Sequence, residues 1–300
     1  MKAPSGTQSE LALGDQRAVV VEVGGGLRTY SSGGRAVLDG YAEDELCGSG
    51  RGQLLLPWPN RIADGRYEFD GEAEQLPLDE PERGNAIHGL VRWATWRVAA
   101  RAPDSVTLEH LLHPRPGYPF ALELRVRYSL DADGLSVSIE ATNIGTSPCP
   151  YGAGAHPYLA LDSGIVDGVT LQVPAETVLE ADERGIPVST GSVDGTHFDF
   201  RAPRKIGSLA LDHCFTDLVR GEDGRARVQL GNEATLWADE SFGYLMVFTG
   251  DGLPDVARRS LAVEPMTCAP NAFRTGDGLI RLEPGETHTA VWGITPARTR

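Results

Sequence analysis

The chain has 300 residues, is 41% hydrophobic and 23% charged, and carries a formal net charge of −15. That length and apolar fraction suffice for a large packed core, and the acidic excess argues against nucleic acid or an anionic membrane surface as a partner. Cys47, Cys149, Cys214 and Cys268 are scattered with no C-x-x-C pair, which excludes a zinc knuckle or redox motif and reads as small buried thiols.

Segment 1–10 is polar and lacks the apolar core of a secretory leader, and residues 1–16 are expected to form a flexible N-terminal arm. Beyond it the dominant period is two. Runs at 19–23 and 106–112 read as strands. In the clearest case Leu122, Leu124, Val126, Tyr128 and Leu130 alternate with Glu123, Arg125, Arg127 and Ser129. Asp131 to Gly134 then supplies turn residues, and Leu135, Val137 and Ile139 alternate again, which predicts an antiparallel hairpin. Further strands are expected at 169–173, 228–230, 235–238 and 244–249. Leu261-Ala262-Val263 is apolar on both sides, as in a strand buried on both faces. Trp292 and Ile294 close the chain in a last strand, and 255–260 has the composition of a helical turn. With 36 glycines and 20 prolines there is little room for long helices. The pattern predicts an all-β fold, a sandwich or barrel, in a single domain over 17–300. No run approaches the roughly 18 apolar residues of a membrane helix, so the expectation is a cytoplasmic protein.

Few groups look poised for chemistry. His88 lies in Asn85-Ala-Ile-His-Gly89 and His156 in Gly152-Ala-Gly-Ala-His-Pro-Tyr158. These glycine-rich settings let backbone approach a ligand closely, although for either histidine alone the plainer reading is a side chain satisfied within a turn. Glu264 ends the apolar run 261–263 and precedes Pro265; a carboxylate there is either a general base raised by burial or half of a structural ion pair. Arg61 stands beside Asn60 and Trp58, where a guanidinium could bind vicinal hydroxyls while an aromatic packs on a sugar ring, or could cap a strand end. Asp212, in Leu211-Asp-His-Cys-Phe215, is the weakest candidate alone. The phosphate loop, the dinucleotide fingerprint, H-E-x-x-H and G-x-S-x-G are absent from the sequence. Asp212 and Glu264 as a carboxylate pair keep a glycosidase open.

Five segments together resemble the aldose 1-epimerase (galactose mutarotase) family: Pro57-Trp-Pro-Asn-Arg-Ile62 with Gly65-Arg-Tyr67, Asn85-Ala-Ile-His-Gly89, Ala155-His-Pro-Tyr158, Leu211-Asp-His-Cys-Phe-Thr216 and Val263-Glu-Pro-Met-Thr267. The resemblance spans about residues 17–295 and places the chain in a divergent branch, because Ala155 stands where the family has Asn and Pro157 stiffens the turn. It implies a large twisted antiparallel β-sandwich with an open cleft on a concave sheet. It also implies Glu264 as the base that takes the anomeric hydroxyl proton, His156 as the acid at the ring oxygen, and His88 as an assisting histidine. Arg61, Asp212, Asn60 and Tyr158 would bind sugar hydroxyls. The reaction would be interconversion of the α and β anomers of a free aldose, with no metal and no cofactor, by a monomer or homodimer. Ring opening moves one proton off the anomeric hydroxyl and one onto the ring oxygen, so the expected starting state is ionised Glu264 and protonated His156 on opposite sides of the sugar. A non-catalytic sugar-binding module, a hexose-6-phosphate epimerase using Arg92 or Arg97, and a polysaccharide-active enzyme remain as alternatives.

Overall fold

The computed structural model describes residues 3–297. Two large antiparallel sheets face each other across one core. The nine-stranded sheet carries the expected hairpin, Leu122–Asp131 with Gly134–Asn143, paired from Leu122↔Asn143 to Asp131↔Gly134. The closing strand Thr287–Pro296 lies beside it. The other large sheet places Leu261–Met266 between Tyr244–Phe248 on one side and Gly154–Ala155 and Tyr158–Leu159 on the other.

Val126, Tyr128, Ile139, Trp292 and Ile294 from the first sheet share a cluster with Phe215, Leu245, Val247, Leu261 and Val263 from the second. Each of these side chains contributes about 1.5–3 kcal/mol by leaving water, which makes the all-β sandwich one packed unit. Cys149, Cys214 and Cys268 are buried and all four cysteines are free thiols, as their scatter implies.

Two expectations are corrected. Gln8–Leu13, assigned to a loose arm, is a strand paired with Gln16–Val21 from Gln8↔Val21 to Leu13↔Gln16. Leu11 is buried in the main core, and that contact with the backbone ladder anchors the segment; residues 1 and 2 lie outside the described range. Residues 255–260 form successive turns rather than a helix. Among the described residues the α-helix is Ala272–Thr275, a single turn closed by Gly276 in the left-handed conformation.

Candidate active site

Strand periodicity sends alternate side chains of Leu261–Met266 to opposite faces. Leu261 and Val263 enter the main core. Ala262 packs with Tyr158 and Val256, and Met266 with Cys214, Met246 and Leu179, in two smaller clusters. Glu264 stands between those clusters on their face of the sheet. The same apolar neighbours that hold the strand carry its carboxylate into the interior, where Glu264 is 2% exposed.

The register that pairs Gly154 with Met266 and Tyr158 with Ala262 sets His156 directly opposite Glu264. Cross-strand neighbours of this kind are in side-chain contact, and His156 Nε2 lies 3.3 Å from Glu264 Oε1. The two are side by side, which corrects the expected arrangement across a sugar-sized gap. Glu264 faces this imidazole instead of an arginine partner. The His156 backbone is fixed by bonds with Gln53 and Gly52. Its ring stacks on Tyr158, with centroids 4.9 Å apart and planes 15° from parallel. The Tyr158 hydroxyl donates to the Ser49 carbonyl at 3.0 Å, so that group is spent on backbone and the phenol sits as a plate against His156.

His88 follows the short strand Asn85–Ile87, which pairs with Arg61–Ala63. Its backbone N–H donates to the Asn60 carbonyl, and the Asn60 N–H donates back to His88 Nδ1 at 3.2 Å. Nδ1 is therefore an acceptor, and neutral His88 carries its proton on Nε2. Both residues have left-handed backbone, with φ near 54° at Asn60 and 60° at His88. Gly89 continues the turn at φ 75°, and a Cβ there would lie 1.9 Å from the Leu56 carbonyl oxygen. The close approach this glycine permits is thus to the protein's own chain.

His88, His156 and Glu264 offer ligand atoms within 4.8 Å of one another, close enough to raise the question of a metal. A ligating histidine ordinarily donates its second N–H to an acceptor. The Asn60 N–H occupies His88 Nδ1 as a donor, so coordination through Nε2 would require an imidazolate. The trio therefore fits a metal poorly and suits a proton donor and a proton-transfer pair.

Arg61 is clamped by Glu80, with Nε to Oε2 and Nη2 to Oε1 both at 2.9 Å. Its Nη1 lies under Gly185, where a Cβ would come within 2.6 Å. Glu80 also accepts from Asn85 Nδ2. Burial would raise Glu80, but the bonds from Arg61 and Asn85 outweigh it and hold the carboxyl below its usual range. The Asn60 side chain accepts the Arg61 backbone N–H, which spends its oxygen on the local turn. Asp212 comes from the strand Asp212–Leu218 and is only partly buried.

All seven candidates line one cleft of about 570 Å³. Asp79, Glu80, Arg83, Phe248 and Asp251 join them without any local motif that marks them. Glu80 lies in a charged loop whose role appears only once its carboxylate meets Arg61. Of the two arginines weighed for phosphate, Arg92 lines the cleft and Arg97 does not. Arg97 is in a larger cleft of about 800 Å³ beside Trp96 and His110. There Glu109 is engaged by Arg97 and Arg125, and His110 Nδ1 meets the Thr95 carbonyl oxygen. Those groups are committed to one another, which leaves the smaller cleft as the candidate site.

Burial pushes the Glu264 carboxyl well above the usual carboxylate range, with Asp212 adding to the effect and Arg61 opposing it. Burial lowers His156 to about 3, helped by the charges of Arg92 and Arg61. His88 is held well below its ordinary value, chiefly by burial and then by His156, Arg92 and Arg61. The site without sugar thus favours neutral imidazoles and a protonated Glu264, which differs from the expected ion pair. The neutral pair and the ion pair hold the same two protons and the same net charge. They differ by the position of one proton along the 3.3 Å contact. Glu264 Oε2 and His156 Nδ1 are buried without a hydrogen-bond partner among the described residues, a state that costs about 1–3 kcal/mol per group.

A buried Glu–His pair beside a second histidine, on one sheet of a large antiparallel sandwich, defines an acid–base site. The model of the aldose 1-epimerase family matches residues 10–295, and the chain belongs to that family. It is 39% identical to the Escherichia coli K12 protein YihR, over 97% of this chain and 93% of that one. It is 32% identical to the aldose 1-epimerase of the same organism, over 66% of this chain and 60% of that enzyme. The GalM/aldose epimerase homologue from C. elegans has the same fold, with a TM-score of 0.86 at 20% identity, covering 97% of this chain and 99% of that one. The fold is galactose mutarotase-like, and the family is one of isomerase-type enzymes with small sugar substrates.

Proposed function

We propose that the protein is a mutarotase that interconverts the α and β anomers of a free, neutral aldose such as glucose or galactose. The observation that carries this reading is the buried contact of His156 with Glu264 inside a cleft of about 570 Å³. Glu264, as carboxylate, takes the proton from the anomeric hydroxyl O1. The O1–H electron pair becomes the C1=O1 bond, the C1–O5 bond breaks, and its pair stays on O5, which receives a proton from His156. The open-chain aldehyde rotates about C1–C2 and recloses, with the two groups exchanging roles. O1 and O5 are bonded to the same carbon, so an acid and a base that lie side by side serve them better than two groups on opposite faces. The contact between the pair also supplies the starting ion pair by a single internal proton shift.

His88 donates from Nε2 to a sugar oxygen, and Arg61 and Asp212 hold hydroxyls. Asn60 sets the backbone that fixes His88, and Tyr158 fixes the ring plane of His156. Each positioned acid or base contributes about 10²–10⁴-fold, so the pair lowers the barrier by at most about 5–11 kcal/mol at about 1.4 kcal/mol per decade.

A hexose-6-phosphate reading draws support from Arg83 and Arg92 in the cleft. Both face carboxylates, Arg83 toward Glu80 and Arg92 toward Asp79, and acidic side chains outnumber basic ones along the lining. A neutral sugar is therefore the favoured substrate. The test is polarimetry of freshly dissolved α-anomers of several aldoses, with glucose 6-phosphate as competitor. Acceleration over buffer supports the reading, whereas tight sugar binding with an unchanged rate makes the protein a sugar-binding module instead.

A further inference from the structure

We propose that the hairpin tip at Arg184 and Gly185 is the positioning element for Arg61: Arg184 ties down the loop that carries Glu80, Gly185 backs the guanidinium, and together they set the pose in which Arg61 meets a hydroxyl. This rests on the reading of Arg61 as a hydroxyl-binding residue. Arg61, Glu80 and Arg83 line the cleft, whereas Arg184 and Gly185 stand outside it and act through Arg61. The tip joins strands Ala175–Ala181 and Pro187–Ser192, an edge pair of the sheet that carries Glu264. Its backbone is preformed. The Asp182 N–H donates to the Ile186 carbonyl, and the Gly185 N–H donates to the Asp182 carbonyl. The Asp182 carboxylate accepts the N–H groups of Arg184 and Ile186, both at 2.9 Å.

From this rigid tip Arg184 reaches a loop 100 positions earlier in the chain. Its Nε donates to the Arg83 carbonyl at 2.8 Å, and its Nη2 donates to the Gly84 carbonyl at 2.9 Å and to Asn85 Oδ1 at 3.3 Å. Asn85 returns the contact: its Nδ2 donates to the Arg184 carbonyl at 2.9 Å and to Glu80 Oε2 at 2.8 Å. Arg184 thus holds both ends of the Asn85 amide, and that amide orients the carboxylate that clamps Arg61. The ion pair of Arg184 with Asp64 is largely exposed and contributes little; the bonds to carbonyls carry the geometry. Gly185 acts on the guanidinium directly. Its φ is 75°, and a Cβ there would lie 2.6 Å from Arg61 Nη1, 2.8 Å from Cζ and 3.0 Å from Nε. Nε and Nη2 of Arg61 are spent on Glu80, so Nη1 is the nitrogen left for a hydroxyl. A side chain at position 185 would displace it.

The test measures kcat and KM for galactose and glucose by polarimetry in wild type, Arg184→Ala, Arg184→Lys and Gly185→Ala. Gly195→Ala is the control, because Gly195 shares the left-handed backbone at φ 70° while a Cβ there meets nothing within 4 Å. Both Arg184→Ala and Gly185→Ala should raise KM about five- to twentyfold with kcat within about threefold, and Gly195→Ala should leave both constants unchanged. Arg184→Lys keeps the charge but not the fork and should behave as Arg184→Ala does. In an Arg61→Ala background, Arg184→Ala should change KM by less than about twofold further. The pose itself is read by 15N NMR. The Arg61 Nε–H signal, identified by its loss in Arg61→Ala, should exchange with solvent at least about tenfold faster in Arg184→Ala than in wild type. An unchanged KM, a fall in kcat alone, recovery by Arg184→Lys, or an effect that adds in full to Arg61→Ala overturns the inference. Gly185→Ala carries the same readouts if Arg184→Ala does not fold. If wild type turns over neither sugar the mutarotase reading fails, and the exchange rate of the Arg61 Nε–H then decides the positioning role by itself: acceleration supports it and an unchanged rate overturns it.

Discussion

Glu264→Gln separates the cost of burying the carboxyl from its use. In the folded protein the group is almost inaccessible and its pKa is raised well above the ordinary 4.5, mainly by burial. Folding therefore favours the protonated form. Relative to an unburied carboxyl, the stability associated with Glu264 is complete below about pH 4.5 and is lost as pH rises toward the folded-state value. From 4.5 to pH 7 is about 2.5 units, and at about 1.4 kcal/mol per unit the loss cannot exceed about 3–4 kcal/mol at pH 7. Glutamine has the shape of the protonated acid and does not titrate. The variant should thus match wild type in stability at pH 4.5 and exceed it by up to about 3–4 kcal/mol at pH 7, as read by urea denaturation at the two pH values. Turnover should move the other way. Losing the base should lower kcat by about 10²–10⁴-fold, equivalent to about 3–5 kcal/mol of barrier, measured by polarimetry on the same preparations. A rate within about threefold of wild type would refute the proton-transfer role. A stability difference that does not grow with pH would refute the account of burial.

Arg61→Ala removes one half of a pair whose two side chains are 10% and 11% exposed, leaving the Glu80 carboxylate with only the Asn85 amide and the more distant Arg83; the expected loss is about 3 kcal/mol by chemical denaturation. Adding Glu80→Ala should recover part of that loss, and strictly additive losses would show that the clamp is not a unit. Weaker sugar binding should accompany the single change. Tyr158→Phe removes the donor to the Ser49 carbonyl and keeps the ring against His156. It should cost about 1 kcal/mol in denaturation and leave turnover within about threefold, whereas a hundredfold loss would mean that the hydroxyl meets the sugar itself.

The period-two alternation at 122–139 was legible because one face of each strand is wet, and the observed hairpin follows it residue for residue. The run 261–263 was legible as doubly buried because both faces meet packed side chains. The anchoring of Gln8–Leu13 was not, since its inward face is marked by polar Ser9 and by Leu11, and its anchoring comes from the ladder with Gln16–Val21. Glu80 was invisible for a similar reason. Its neighbours in the chain are charged loop residues, and its partner Arg61 lies 19 positions away.

The amino-acid sequence by itself determined the all-β class, the family, and the short list of groups able to move protons, because these rest on local alternation and on motifs within a few residues. Only the tertiary structure decided how those groups act on one another. Strand register brings His156 and Glu264, 108 positions apart in sequence, into contact at 3.3 Å. The Asn60 N–H fixes which nitrogen of His88 carries the proton. Burial on the cleft face of one sheet turns an expected ion pair into a neutral one. Each of these depends on distances and desolvation between segments that the linear order leaves unspecified.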